Sequence, residues 1–166
     1  MSDDDSSVLQ QLVDRSAITD LLTHYCWLCD SRRLDRIAEE IFTQDAVAEY
    51  GFGPMVGSQA IDRFFRNAAA AMDGTVHVLS NVVVTVEGDQ ATARSYVTAS
   101  ERFGDRTGLK EEEGADFVVL GCYRDTLVRT DRGWRIEHRD FGHLPPVYAV
   151  GRMPDAMQLS AYAEHA

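Results

Sequence analysis

From Val76 onward this chain alternates apolar and other residues with a period of two, and before Val76 it does so only briefly. Period two sends successive side chains to opposite faces of a strand, so the second half of the chain is committed to a sheet. Val76 to Val86 is β-rich and ends in a Glu87-Gly88-Asp89 turn, and Ala91 to Phe103 alternates again. Phe117 to Arg129 reads as a long strand, Thr130-Asp131-Arg132-Gly133 as a turn, and Trp134 to Phe141 as a further strand. Between them Gly104 to Gly114, with its Glu111-Glu112-Glu113 run, reads as a mobile polar loop. Four consecutive strands joined this way form a meander.

The first half follows the helical period instead. Ile18, Leu21, Leu22, Tyr25 and Cys29 share one helical face, predicting a helix over roughly 8–29 that Asp30-Ser31 ends. Leu34, Ile37, Ala38, Ile41 and Phe42 predict a shorter second helix, and Ala46 to Tyr50 a short strand. Gly51, Gly53, Pro54 and Gly57 mark a loop. Ser58 is the expected N-cap of a third helix carrying Ile61, Phe64 and Phe65 and stopping at Gly74. Helices first and strands second predict an α+β fold: a bent antiparallel sheet covered on one side by helices. Residues 1–7 are small and acidic and are expected to be disordered, 8–145 to form the domain, and 146–166 to be a C-terminal extension in which Met153 to Tyr162 can form a short helix.

Composition narrows the function classes. The 166 residues carry 16 basic and 27 acidic side chains, a net charge of −11, which repels nucleic-acid phosphates and anionic membranes. No apolar run approaches the ~20 residues that span a bilayer. The acidic start, Met1-Ser2-Asp3-Asp4-Asp5, is the opposite of a secretory signal, and three cysteines do not make a disulfide framework. A cytoplasmic protein is expected.

The familiar short motifs fail on inspection. Gly51-Phe52-Gly53-Pro54-Met55-Val56-Gly57 is one residue too long for a dinucleotide loop, and its proline removes a backbone donor. Cys26-x-x-Cys29 lies inside a predicted helix, where two buried thiols are expected rather than a redox pair. The five histidines show no metal spacing. No metal, flavin or nicotinamide is expected.

A dispersed polar set remains: Tyr25, Asp30 at the end of the first helix, His77 early in the first long strand, and Arg139 on the last. Each also has an ordinary structural account, as a core aromatic, a helix-ending turn residue or a satisfied core histidine. Tyr25 and Asp30 stand about 140° apart on an ideal helix, so they converge only if its end unwinds or curves. By strand parity His77 shares a face with Leu79, Asn81 and Val83, and Arg139 with Phe141 and His143, opposite Trp134, Ile136 and His138. An apolar and aromatic wall with a few polar groups suits a small-molecule pocket. Its expected walls are Phe52, Met55, Leu79, Asn81, Val97, Phe141 and His143.

The chain resembles the SnoaL-like branch of the NTF2-like cone fold. Ala17-Ile18-Thr19-Asp20-Leu21-Leu22 followed by Tyr25 and Asp30, then Ile41-Phe42-Thr43-Gln44-Asp45-Ala46-Val47 and Gly57-Ser58-Gln59-Ala60-Ile61, carry the likeness. So do Val76-His77-Val78-Leu79-Ser80-Asn81 and Gly133-Trp134-Arg135-Ile136 with Arg139, and together they span roughly residues 10–145. The resemblance implies a cystatin-like α+β barrel, its sheet wrapped around three N-terminal helices. Tyr25, Asp30, His77 and Arg139 resemble the catalytic set of the bile-acid 7α-dehydratases. Asp30, His77 and Arg139 also resemble that of the hexachlorocyclohexane dehydrochlorinases, and scytalone dehydratases use a related Asp–His arrangement. The bile-acid enzymes carry a further acid on the strand that here reads Ser95-Tyr96-Val97-Thr98-Ala99. Val97 or Ala99 falls at that position, which argues against a bile-acid substrate.

The implied activity is a cofactor-independent lyase or isomerase of the dehydratase type, working on a hydrophobic cyclic compound. His77 would be the base, oriented by Asp30, with Arg139 and Tyr25 stabilising negative charge. Asp30 and His77 are then expected within hydrogen-bond distance inside a cavity. The alternative is a non-catalytic binding or assembly subunit, such as the small subunit of a ring-hydroxylating dioxygenase. The valine row Val76, Val78, Val82, Val84 and Val86, placed by parity opposite His77, predicts a homodimer through the outer sheet face.

Overall fold

The computed structural model describes residues 3–104, 116–143 and 149–151, and shows helices covering one face of a bent, unclosed sheet. The elements are α1 (Asp3–Asp30), a 3-10 turn (Leu34–Arg36), α2 (Ile37–Ile41), β1 (Phe42–Glu49), β2 (Pro54–Val56), α3 (Ser58–Ala71), β3 (Met72–Glu87), β4 (Gln90–Phe103), β5 (Phe117–Thr130), β6 (Gly133–His143) and β7 (Ala149–Gly151). Their order across the sheet is β2-β1-β6-β5-β4-β3, with β7 on β5. The meander β3 to β6 is antiparallel throughout, but β1 runs parallel to β6. The sheet is therefore mixed, not wholly antiparallel, because the chain passes through α3 and the whole meander before β6 returns beside β1.

Helix α1 starts at Asp3, so residues 3–7 are helical where disorder was expected. Ile18, Leu22, Tyr25, Cys26 and Cys29 form its buried face. Asp14, only 3 % exposed, clamps α1 to the sheet. It accepts a forked pair from Arg129 Nη1 and Nη2 at 2.8 and 2.7 Å and a bond from Trp134 Nε1 at 3.2 Å. The Arg129 guanidinium beside it holds its carboxyl at about 2 despite burial. The N-cap of α3 is Gly57, not Ser58: it takes φ +83°, a left-handed value that suits glycine. Ser58 begins the helix, and its hydroxyl accepts from Gln44 Nε2 at 2.7 Å.

Two bulges overturn the strand parities read from sequence. On β3 the ladder slips between Ser80 and Val83, with Asn81 at φ +52°. Thr75, His77 and Leu79 face the helices before the slip, and Val82, Val84 and Val86 face them after it. Asn81 is exposed, and it and Val83 do not share the face of His77. The outer row is therefore Val76, Val78 and Val83, joined by Tyr96 of β4. On β6, Thr126 and Leu127 of β5 pair with His138 and Ile136, leaving Glu137 as an extra residue. Trp134, Ile136 and Arg139 all point inward as a result, where alternation had put Arg139 opposite the other two. The 105–115 part of the expected loop and nearly all of the C-terminal extension, including 153–162, lie outside the described residues.

Candidate functional site

The helices and the sheet enclose a cavity of about 200 Å³. Its walls are rich in aromatic rings: Tyr50 and Phe52 follow β1, Phe64 and Phe65 come from α3, Phe117 and Tyr123 from β5, and Phe141 from β6. Tyr50 stacks between Phe64 and Phe141, with centroids 5.6 and 6.3 Å away and interplanar angles of 16° and 24°. Gly121 makes room for Phe141, since a Cβ there would lie 2.0 Å from its ring. The polar wall residues are few: Tyr25, Tyr50, Tyr123, Thr75, His77 and Glu101, with the Cys29 thiol beside them. Burial pushes the Cys29 thiol up, as it does that of Cys26, which reaches about 11. Neither is a thiolate at neutral pH, in keeping with the two buried thiols expected from the sequence.

Asp30 and His77 meet. Nδ1 of His77 lies 2.8 Å from Asp30 Oδ1, and the His77 backbone N–H donates to both carboxylate oxygens at 3.0 and 3.1 Å. The main chain thus fixes the carboxylate, and the carboxylate fixes the ring. Asp30 does not line the cavity; it stands behind His77, which does. A carboxylate accepts only, so Nδ1 carries the proton of the neutral ring, and Nε2 keeps a lone pair with no partner among the described residues. The rings of Tyr25 and His77 meet edge to face, centroids 6.2 Å apart.

Arg139 sits elsewhere than on the wall. It is fully buried, and Asp125, its cross-strand partner on β5, holds it in a fork: Nε to Oδ1 at 2.7 Å and Nη2 to Oδ2 at 2.8 Å. Burial opposes the charge, but the Asp125 carboxylate together with Tyr50 and Tyr25 more than offsets it and keeps the guanidinium ionised. The cation lies 4.1 Å from the ring centroid of Tyr123 and 4.5 Å from that of Tyr25. Its remaining arm, Nη1, reaches the Tyr50 hydroxyl at 3.5 Å, and Tyr50 donates to the Tyr25 hydroxyl at 3.2 Å. A relay of donors therefore runs from a buried cation to the cavity. Burial raises the phenol of each of the three tyrosines, so all stay neutral donors at physiological pH.

Of the other expected residues, Phe52, Val97 and Phe141 line the cavity. Met55 and Leu79 pack against the core instead of the cavity, and Asn81 is displaced to the surface by the bulge. The His143 side chain lies outside the described residues. Sequence reasoning missed Tyr50, Tyr123, Asp125 and Glu101. Strand parity carries a signal for two of them: Asp125 is in phase with Tyr123 and Leu127, and Glu101 with Val97 and Ala99, so each puts a charge on an otherwise inward apolar row.

Residues 10–140 match the model of the SnoaL-like domain. The chain belongs to the SnoaL-like family. A comparison with curated proteins finds no match. Among solved structures, a protein from Novosphingobium aromaticivorans named a putative aromatic ring hydroxylase is 31% identical, with 90% of this chain and 96% of that one covered and a TM-score of 0.74. An NTF2-like protein with a cystatin-like fold from the same organism is 28% identical, over 92% of each chain, with a TM-score of 0.66. A third protein from that organism, named a putative scytalone dehydratase, is 23% identical, with 87% and 91% of the chains covered and a TM-score of 0.73, a likeness of fold. The fold of this SnoaL-like chain is thus the NTF2-like, cystatin-like one expected from the sequence, as an open rather than closed sheet.

Proposed function

We propose that this SnoaL-like protein is a cofactor-independent lyase or isomerase that removes a proton from carbon in a hydrophobic cyclic compound. The observation that carries the reading is the 2.8 Å contact between His77 Nδ1 and Asp30 Oδ1, made by a ring that faces an aromatic cavity. Nε2 takes the proton, and Asp30 stabilises the imidazolium that forms. The Tyr25 hydroxyl, at the end of the Arg139–Tyr50 relay, donates to the oxygen on which negative charge develops. Arg139 acts through Tyr50 and is a positioning residue. The cavity volume sets the substrate scale: an apolar cavity of about 150 Å³ accepts benzene, so about 200 Å³ suits one ring or two fused rings and is small for a four-ring bile acid.

The test is hydrogen exchange at carbon. Cyclic ketones of one and two rings, incubated in D₂O with the protein, are expected to gain deuterium next to the carbonyl, as followed by NMR, and His77→Ala is expected to abolish the gain. Equal exchange with both proteins, or with neither, overturns the reading. The second reading is a non-catalytic binding or assembly subunit of the same fold, which this fold can also serve. That reading expects ligand binding without exchange.

We also propose a homodimer through the outer face of β3 and β4, where Val76 and Val78 are 59% and 58% exposed beside Val83 and Tyr96. A two-fold pairing covers this row with its own copy. Sedimentation at micromolar concentration is expected to give a dimer, and Val78→Glu a monomer. A wild-type monomer overturns it.

A further inference from the structure

Strand β4 brings a second titratable group into the cavity. Glu101 lines it, in phase with Val97 and Ala99, and stands opposite Thr75, two residues from His77 on the neighbouring strand. Its carboxyl makes no hydrogen bond among the described residues. Phe117 of β5, its other cross-strand neighbour, also lines the cavity and is apolar, as are Phe65 and Ala68 of α3. The titratable group that acts on it is His77, whose ring Asp30 holds on the far side. A carboxyl left unpaired in such surroundings favours its protonated form. Burial does raise the Glu101 carboxyl above the ordinary range, against the pull of His77.

We propose that Glu101 is the acid that protonates a departing hydroxyl, and that the substrate is therefore a cyclic compound with a hydroxyl one carbon beyond the acidic C–H. The inference rests on the proposed role of His77 as the base. Nε2 of His77 takes the carbon-bound proton, and the electrons of that bond form the new C=C bond. The C–O bond breaks, its oxygen takes the proton of the Glu101 carboxyl, and water leaves. The site is left as imidazolium and carboxylate, and return of the proton from His77 to Glu101 through solvent restores it. A halide leaves without a proton and gains little from such an acid, whereas hydroxide is a poor leaving group. The paired groups therefore assign this cavity to dehydration rather than dehydrohalogenation.

The test compares two leaving groups on one ring, a β-hydroxy and a β-chloro cyclic ketone. Glu101→Gln is expected to lower the ratio of hydroxyl to chloride elimination about 10²-fold or more, the scale of a general acid. An unchanged ratio overturns the proposal. The base reading fails separately: His77→Ala would then keep its elimination of chloride. A substrate-independent measurement complements this one. The infrared difference spectrum of wild type minus Glu101→Gln at neutral pH is expected to show the C=O stretch of a protonated carboxyl, and carboxylate bands alone would also overturn the proposal.

Discussion

His77→Ala is expected to lower turnover about 10²–10⁴-fold, the usual contribution of a general base, with little change in melting temperature. The prediction turns on what the imidazole leaves behind. Asp30 keeps both bonds from the His77 backbone N–H, at 3.0 and 3.1 Å, because alanine supplies the same donor. The carboxylate is therefore not orphaned, and the ring vacates a cavity that already exists. Asp30→Asn is expected to lose nearly as much turnover. Its amide can turn an N–H toward Nδ1, which moves the ring proton to Nε2 and removes the lone pair that the reaction needs. Turnover and thermal melting of the two variants, measured side by side, check this. A folded His77→Ala with wild-type turnover would remove His77 from the chemistry; a large loss of stability with activity falling in proportion would make it a core histidine.

The limits of the sequence reading have physical causes. The buried face of α1 was legible because Ile18, Leu22, Tyr25 and Cys29 repeat at the helical period, and nothing in that stretch competes with it. The phase of β3 beyond Ser80 was not, because Val82-Val83-Val84 is apolar at every position and contains no alternation to mark a slip. A bulge belongs to the ladder between two strands, so one strand alone does not record it. The same holds for Glu137, whose insertion turns Ile136 and Arg139 to the same side. Arg139 was picked out because the chain resembles enzymes with an arginine there. Its buried fork with Asp125 depends on the β5–β6 register, and hence on a turn and a bulge together. Glu101 was missed for a simpler reason: it stands two residues beyond Ala99 on the same face of β4, past the positions where the resemblance places an acid.

Asp125→Ala is expected to cost about 3–5 kcal/mol of stability, the range for breaking a buried ion pair by removing one partner. The side chains of Arg139 and Asp125 are 0% and 1% exposed, so the orphaned guanidinium is a buried, uncompensated charge. The Tyr25 and Tyr123 ring faces and the Tyr50 hydroxyl remain beside the cation, but none of them carries the countercharge. Arg139→Met in the Asp125→Ala background should recover a large part of the loss, because an apolar side chain in a site lined by aromatic rings leaves no uncompensated charge. Urea denaturation of the two single variants and the double variant measures the coupling, and strictly additive losses would show that the pair is not a unit. Stability and activity should then separate. In the double variant no cation stands behind Tyr50, so the Tyr50–Tyr25 relay loses its source of polarisation, and turnover stays low in a protein that folds well. Arg139→Lys falls between: the charge survives, the fork does not, and both stability and turnover are expected to exceed those of Arg139→Ala. If the double variant recovered turnover together with stability, Arg139 would be a structural cation only, and Tyr25 would be donating without help from it.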